Sequence, residues 1–239
     1  MGPPDSQFGA DAGGLDTSSD SSTSSWALGC FLVGYNVMHH SGLFGSATVG
    51  WGTRLADWID LAAPLVVLLP LLSFMWLQHP LPRVRLWIVA AVGSLLYAEG
   101  HGIHLSANSI SNAVLSDGTT PQLSDTIHLW DEVVGHYVWY LGLAVVIVAC
   151  AASVRSRCLG IPRFALVVGG AICGLTWATN GLEGGTAVAS LGVSIAAIVP
   201  ALRRDQGLSA ALAAGGSTAV VVLTSYALWH GGFPQPSSL

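Results

Sequence analysis

The sequence contains no lysine, and only 9% of its 239 residues are charged, where soluble domains carry about 25%. All eight basic side chains are arginines, and none of them lies in the first 25 residues. The net charge of −5 at pH 7 comes largely from the four aspartates of that same stretch, so it says little about a partner. Without a basic patch, the chain is not expected to bind nucleic acid.

Cysteine is also scarce. The chain has four cysteines, without CxxC spacing and mostly within or beside apolar runs: Cys30, Cys150, Cys158 and Cys173. This pattern predicts neither a disulfide framework nor a zinc site made of thiolates.

Hydrophobic residues, by contrast, make up 52% of the chain and occur in long runs. Crossing about 30 Å of hydrocarbon takes about 20 helical residues, and six segments meet that length with little strain. A seventh is weaker because it contains Asn36, His39 and His40; it could span, re-enter or lie at the surface, and we favour spanning. The predicted fold is an all-α polytopic integral membrane bundle of about seven transmembrane helices. Their approximate ranges are 26–46, 58–78, 84–108, 127–153, 162–182, 185–202 and 208–231.

Two tails flank the transmembrane domain, which covers residues 26–232. Residues 1–25 are rich in Ser, Asp and Gly and contain no apolar run, so they cannot bury enough surface to offset the entropy of ordering. We predict that this N-terminal tail is disordered. Residues 233–239 form a short tail after the last helix.

Arginine placement predicts the orientation. Seven of the eight arginines fall in alternate loops between the predicted helices, and basic loops are retained on the cytoplasmic side. If the first segment spans, the N-terminus is then on the cytoplasmic side of the cell membrane and the C-terminus is on the outer side. In that orientation seven of the eight histidines lie toward the outer side, which is more order than a random distribution would give.

Four of the histidines lie within residues 97–140, a segment that reads as two helices joined by a polar loop. Residues three and four apart share one face of a helix, so His101 and His104 form one pair, and Glu132 and His136 form another. Folding the segment at its loop places His101 opposite His136 and His104 opposite Glu132. Imidazole and carboxylate ligands together favour zinc or iron, so the segment predicts a divalent metal site.

Three more residues are candidates for this site. His230, at the end of the last predicted helix, is a further metal ligand, and Glu99 and Asp131 are the candidate catalytic bases. Asp131 lies off the main stripe of its helix, where it is more often a solvated interfacial charge, and Glu99 lies roughly opposite the stripe of His101 and His104. The remaining polar residues of the outer side receive no assigned role: His39, His40, His128 and Glu183.

These features predict a metal-dependent membrane enzyme, with zinc or iron, that acts on a lipid-like or other hydrophobic small-molecule substrate. Membrane lipid is its expected partner. The same residues leave three alternatives open. One is a redox protein that holds haem between His101 and His136 or between His104 and His230. Another is a transporter with an outer gate, and the third is a structural subunit in which a polar network replaces the cofactor.

Overall fold

The structure, a computed structural model, describes residues 17–40, 47–78, 81–114, 120–154, 161–202, 207–236 and 239. The helices are α1 Thr17–Met38, α2 Leu55–Asp60, α3 Ala63–Trp76, α4 Val84–Val114, α5 Pro121–His128, α6 His136–Ser153, α7 Arg163–Glu183, α8 Ala187–Leu202 and α9 Gly207–His230. A π-helical segment, Leu129–Gly135, joins α5 to α6. A short antiparallel hairpin, β1 Thr48–Gly50 with β2 Thr53–Arg54, lies between α1 and α2.

Several helical stretches of the described chain are long and apolar enough to cross a membrane. These five are Leu55–Trp76, Val84–Val114, Pro121–Ser153, Arg163–Glu183 and Leu208–His230. α8 is apolar over Ala187–Val199 but shorter. The first part of α1 is the serine-rich stretch TSSDSSTSS, which makes that helix less hydrophobic than the other long helices. The predicted all-α membrane bundle is confirmed, and five of the seven predicted segments have spanning length and hydropathy.

The first helix lies earlier in the chain than predicted. α1 begins inside the predicted tail and ends before His39 and His40, while residues 1–16 and 41–46 lie outside the described chain. The Nδ1 atoms of both histidines lie 2.8 Å from the backbone carbonyl four residues earlier. The His40 ring thus contacts the Asn36 carbonyl of the last helical turn, whereas the Tyr35 carbonyl near the His39 ring also accepts the His39 backbone N–H at 3.2 Å.

The second predicted segment, 58–78, is divided by a short turn into α2 and α3. Pro64 lies in the first turn of α3, where its missing N–H has no intrahelical acceptor to lose. At the start of α2, the Asp57 carboxylate accepts a hydrogen bond of 2.8 Å from the Arg54 backbone N–H. The result is a short helix with two aspartates, joined by a two-residue turn to the apolar helix that follows it.

Glycines bring two pairs of helices into backbone contact. In the α4–α6 pair, a Cβ at Gly100 would lie 2.7 Å from the carbonyl oxygen of Gly135, so no larger residue fits there. In the α7–α9 pair, Gly174 packs directly against the Gly215 backbone. Small residues permit this close approach between membrane helices. In this structure α9 is the helix against which Gly174 of α7 packs.

Polar side chains gather at one end of the bundle. There the C-terminal ends of α1, α4 and α7 meet the N-terminal part of α6 and the hairpin and short helix that precede α3. After α9 the chain also returns to this end, where Gln235 Nε2 donates a hydrogen bond of 2.7 Å to the backbone carbonyl of Glu183. The candidate site lies at this end, and the apolar core fills the space behind it, with Leu28, Val67 and Leu143 among its buried residues.

Candidate functional site

Four histidines surround the side chain of Trp139. The ring centroids of His39, His101, His104 and His136 lie 4.8, 5.2, 5.7 and 5.1 Å from that of Trp139. Trp139 is only 5% exposed, so its indole forms the apolar centre of the arrangement. We call these five residues the Trp139 group. It contains three of the predicted metal ligands and His39, which sequence reasoning left unassigned.

The register between α4 and α6 places His104 beside His136. Their ring centroids are 4.6 Å apart, and a Cβ at Gly135 would lie 3.0 Å from the His104 backbone nitrogen. The predicted pairing of His101 with His136 and of His104 with Glu132 is therefore wrong. The close glycine contacts fix the register, whereas the prediction folded the segment at the middle of its polar loop. Residues 115–119 of that loop lie outside the described chain.

The π-helical segment changes which acid faces these histidines. In a π-helix the residues aligned along the axis are five apart, whereas in an α-helix they are four apart. His136 Nδ1 accordingly lies 2.9 Å from the backbone carbonyl of Asp131, and the Asp131 carboxylate lies 2.6 Å from His104 Nδ1. Asp131 is 7% exposed, so its interpretation as a solvated interfacial charge is wrong. The prediction assumed an uninterrupted α-helical period.

A second acid, Asp60, contacts His101. His101 Nε2 lies 3.0 Å from the Asp60 backbone carbonyl and 3.3 Å from its carboxylate, and the histidine is 2% exposed. Sequence reasoning missed Asp60 because it lies in α2, far along the chain from the histidines of α4 and α6. The available signal was the pair Asp57 and Asp60, three residues apart in the stretch DWID, which places both on one face of a short helix.

The other predicted site residues lie farther out. Glu132 is partly exposed, and its carboxylate is 3.7 Å from His136 Nδ1. Glu99 is exposed on α4. His230 is exposed at the end of α9, where its ring packs on Tyr226 with centroids 4.4 Å apart. The structure thus brings His101, His104, His136 and Asp131 together and leaves Glu99 and His230 outside that arrangement.

A cavity of about 250 Å³ opens beside the Trp139 group. Small-molecule sites usually measure about 300–1,000 Å³, so this cavity fits a small ligand or one end of a larger one. Several helices and the segment before α3 contribute polar residues to the cavity lining. These are His39, Arg54, Asp57, Asp60, His104, Asn108, His136, Asn180 and Glu183. Met38, Ala56 and Trp139 complete the wall. Arg54 and Asn180 are functional candidates that the sequence pattern does not single out.

The donor set has the chemistry of a metal site, although the described side chains include no group of three His, Cys, Asp or Glu residues arranged to hold an ion. Metal-ligating histidines characteristically donate one ring nitrogen to a carboxylate or backbone carbonyl and use the other as ligand. His104 and His136 each have Nδ1 beside an oxygen of Asp131, which leaves Nε2 of each ring as the possible ligand atom. The Nε2 edge of the His136 ring packs against Gly184, and a third ligand would have to move into place.

This arrangement can also hold and move protons, since buried imidazoles lie beside the carboxylates of Asp60 and Asp131. The chain matches no protein-family model, no curated protein and no solved structure.

Proposed function

We propose that the chain is a multi-pass membrane enzyme that binds a divalent metal ion, zinc or iron, and acts on a hydrophobic or lipid-like substrate. His104 and His136 are the ligands we assign with Nε2. The observation that carries the proposal is the position of Asp131, which contacts Nδ1 of both histidines through two different oxygens. This contact fixes the ring orientation of both side chains and raises their basicity as ligands.

The surrounding residues support chemistry on a bound water or substrate. Zinc or iron, when bound, would supply Lewis acidity and lower the pKa of a coordinated water. Because Asp131 is engaged by His104 and His136, we assign it a positioning role and not that of the catalytic base. Glu183 lines the cavity and Glu99 does not, so Glu183 is the carboxylate we assign to proton transfer.

An apolar surface beside the site supports a hydrophobic substrate. The π-helical segment that carries Asp131 also exposes Leu129, Trp130 and Val133 on its outer face. In a membrane bundle these side chains contact lipid or the interface. A molecule dissolved in the bilayer would therefore meet the wall of the site without crossing water.

The same geometry is less favourable for haem. Trp139 packs against both His101 and His136, with centroid distances of 5.2 and 5.1 Å, so a porphyrin between those histidines would have to displace the indole. The other predicted pair, His104 with His230, includes an exposed residue that packs on Tyr226. A divalent ion is therefore the cofactor we propose.

Elemental analysis and an absorption spectrum of the detergent-purified chain test the proposal. We expect about one equivalent of zinc or iron, lost in His104→Ala and in His136→Ala. The exposed histidine of α5 provides the control, and His128→Ala should keep its metal. Metal-free wild-type protein of normal stability would identify the site as a structural polar network, and a Soret band would identify haem.

A further inference from the structure

Two buried groups of the cavity lining that carry an N–H in every protonation state have no hydrogen-bond acceptor among the described residues. They are Arg54 Nε and Asn180 Nδ2. The first comes from the strand that precedes α2, and the second comes from the last turn of α7, so they belong to elements far apart in sequence. Buried donors are nearly always paired in folded proteins, and an unpaired one is costly. A ligand oxygen in the cavity would remove that cost.

We propose that Arg54 and Asn180 are donors to an uncharged oxygen acceptor, such as a carbonyl group, on the molecule that occupies this cavity. The inference rests on the proposed function for the choice of site, and it adds the chemistry of the substrate. The two residues touch the ligand through N–H groups and need no change in protonation. Arg54 Nη2 is already 2.9 Å from the Asp57 carboxylate, which leaves Nε for the ligand.

The charge of the lining disfavours an anionic ligand. Asp57, Asp60 and Glu183 line the cavity, and Arg54 is the one arginine of the lining, already paired with Asp57. Asp131 adds a further carboxylate behind His104. A phosphate or carboxylate would therefore meet net negative charge, and a divalent ion at His104 and His136 would not reverse its sign. A neutral carbonyl accepts the same two hydrogen bonds without that repulsion.

The apolar part of the wall accommodates the rest of such a molecule. Met38, Ala56 and Trp139 complete the cavity. Its volume of about 250 Å³ is enough for the polar end and a short part of an alkyl chain. The remainder of a lipid-like molecule would extend past the cavity toward the membrane.

Three twelve-carbon probes of equal chain length test this inference: 2-dodecanone, dodecanoate and dodecane. Each is radiolabelled, and its binding to the purified, metal-analysed chain is measured by equilibrium dialysis. We expect 2-dodecanone to bind at least about tenfold more tightly than either other probe, because only it presents a neutral acceptor. Equal or tighter binding of dodecanoate or dodecane would overturn the inference.

Two variants test the donors directly. Asn180→Asp replaces the donor with an acceptor of the same size, and we expect ketone affinity to fall about tenfold. Arg54→Lys keeps the charge and removes Nε, and we expect a fall of about fivefold. Gln122→Glu, at an exposed position of α5, adds the same negative charge as Asn180→Asp and should leave ketone binding unchanged. Unchanged affinity in Asn180→Asp and Arg54→Lys would overturn the assignment.

The metal measurement keeps this test separate from the proposed function. If the wild-type chain retains metal but does not bind 2-dodecanone, the substrate inference fails and the metal site stands. If the chain contains no metal but binds the ketone through Arg54 and Asn180, the metal enzyme fails and the binding site stands. Asn180→Leu, which removes the donor without adding charge, should match the loss in Asn180→Asp and so exclude a purely electrostatic effect.

Discussion

Asp131 is the residue on which the geometry of the site depends most directly. Its side-chain and backbone oxygens contact two histidines of different helices, so it couples α4 to the start of α6. The carboxylate is buried, which makes these contacts stronger than they would be in water. Its partly exposed neighbour Glu132 makes a longer contact, with its carboxylate 3.7 Å from His136 Nδ1.

Replacing Asp131 with Asn should weaken metal binding by a factor of about 10 to 100, because the partner that orients His104 loses its charge. Competition with a chromophoric zinc chelator measures the affinity. Asp125→Asn, at an exposed position of α5, is the matched control and should bind zinc like the wild type. Equal affinity in both variants would contradict the positioning role of Asp131.

Gly184 is a second residue that acts on the site by its size. It lies in the turn between α7 and α8, and a Cβ there would overlap the His136 ring. Its backbone angle of −84° suits any residue, so the effect of Gly184→Ala would come from packing alone. We expect displacement of His136, a loss of bound metal and a decrease in unfolding free energy of about 1–3 kcal/mol.

Thermal denaturation and elemental analysis of Gly184→Ala measure these two effects. Gly192→Ala is the control, because a Cβ at Gly192 in α8 has open space around it and alanine favours helix. That control should be as stable as the wild type or slightly more stable. Retention of both stability and metal in Gly184→Ala would contradict this expectation, because it would show that the His136 ring can shift without loss of packing or of the metal.

At the scale of single elements, the π-helical segment Leu129–Gly135 determines the site. It aligns Asp131 with His136 at a spacing of five residues, whereas an α-helix aligns residues that are three or four apart. Local π-turns are frequent at functional sites because they redirect side chains at the cost of weaker hydrogen bonding. The exposed apolar residues of the same segment suggest that it also forms the wall through which a substrate approaches.

Inserting one alanine after Val134 lengthens the spacing of Asp131 and His136 from five residues to six, which fits neither the α-helical nor the π-helical period, and should move the two residues apart. We expect metal binding to be lost while far-ultraviolet circular dichroism still reports a helical bundle, since the apolar parts of the helices are unchanged. Inserting one alanine after Gln122, which lies before the π-helical segment, keeps the spacing of Asp131 and His136 and should keep the metal. Metal binding in the Val134 insertion variant would mean that this spacing is not required.

The element scale also explains what could be predicted from the sequence. Long apolar runs and the three-residue spacing of His101 and His104 were sufficient for the membrane bundle and for one face of the site. The π-helical register departs from the α-helical spacing that sequence reasoning assumes, and the helix pairing depends on glycine contacts between distant segments. Asp60, Arg54 and Asn180 join the cavity only through tertiary packing.

At the scale of the whole molecule, the bundle has one polar end and apolar helices leading away from it. The ends of α4 and α7 and the start of α6 meet there, which matches the alternation expected for successive membrane crossings. The arginine placement predicts that this polar end faces outward. The site would then be reached from the outer leaflet and its aqueous boundary.

Cysteine labelling of intact cells tests this orientation. In a Cys30→Ser background, Trp229→Cys lies at the polar end of α9 and Val84→Cys at the opposite end of α4, and both positions are exposed. A membrane-impermeant maleimide should label Trp229→Cys from outside and reach Val84→Cys only after lysis. The reverse pattern would invert the topology and place the cavity on the cytoplasmic side.

The hydrogen bond from Gln235 to the Glu183 carbonyl has a practical consequence for engineering the chain. It ties the chain at Gln235 to the rim of the cavity, so a purification tag or carrier protein inserted next to Gln235 would lie beside the opening and crowd it. Thr17 begins α1 at the end of that helix away from the opening. Probes of ligand entry are therefore best performed with the handle placed ahead of Thr17 and the segment around Gln235 unchanged.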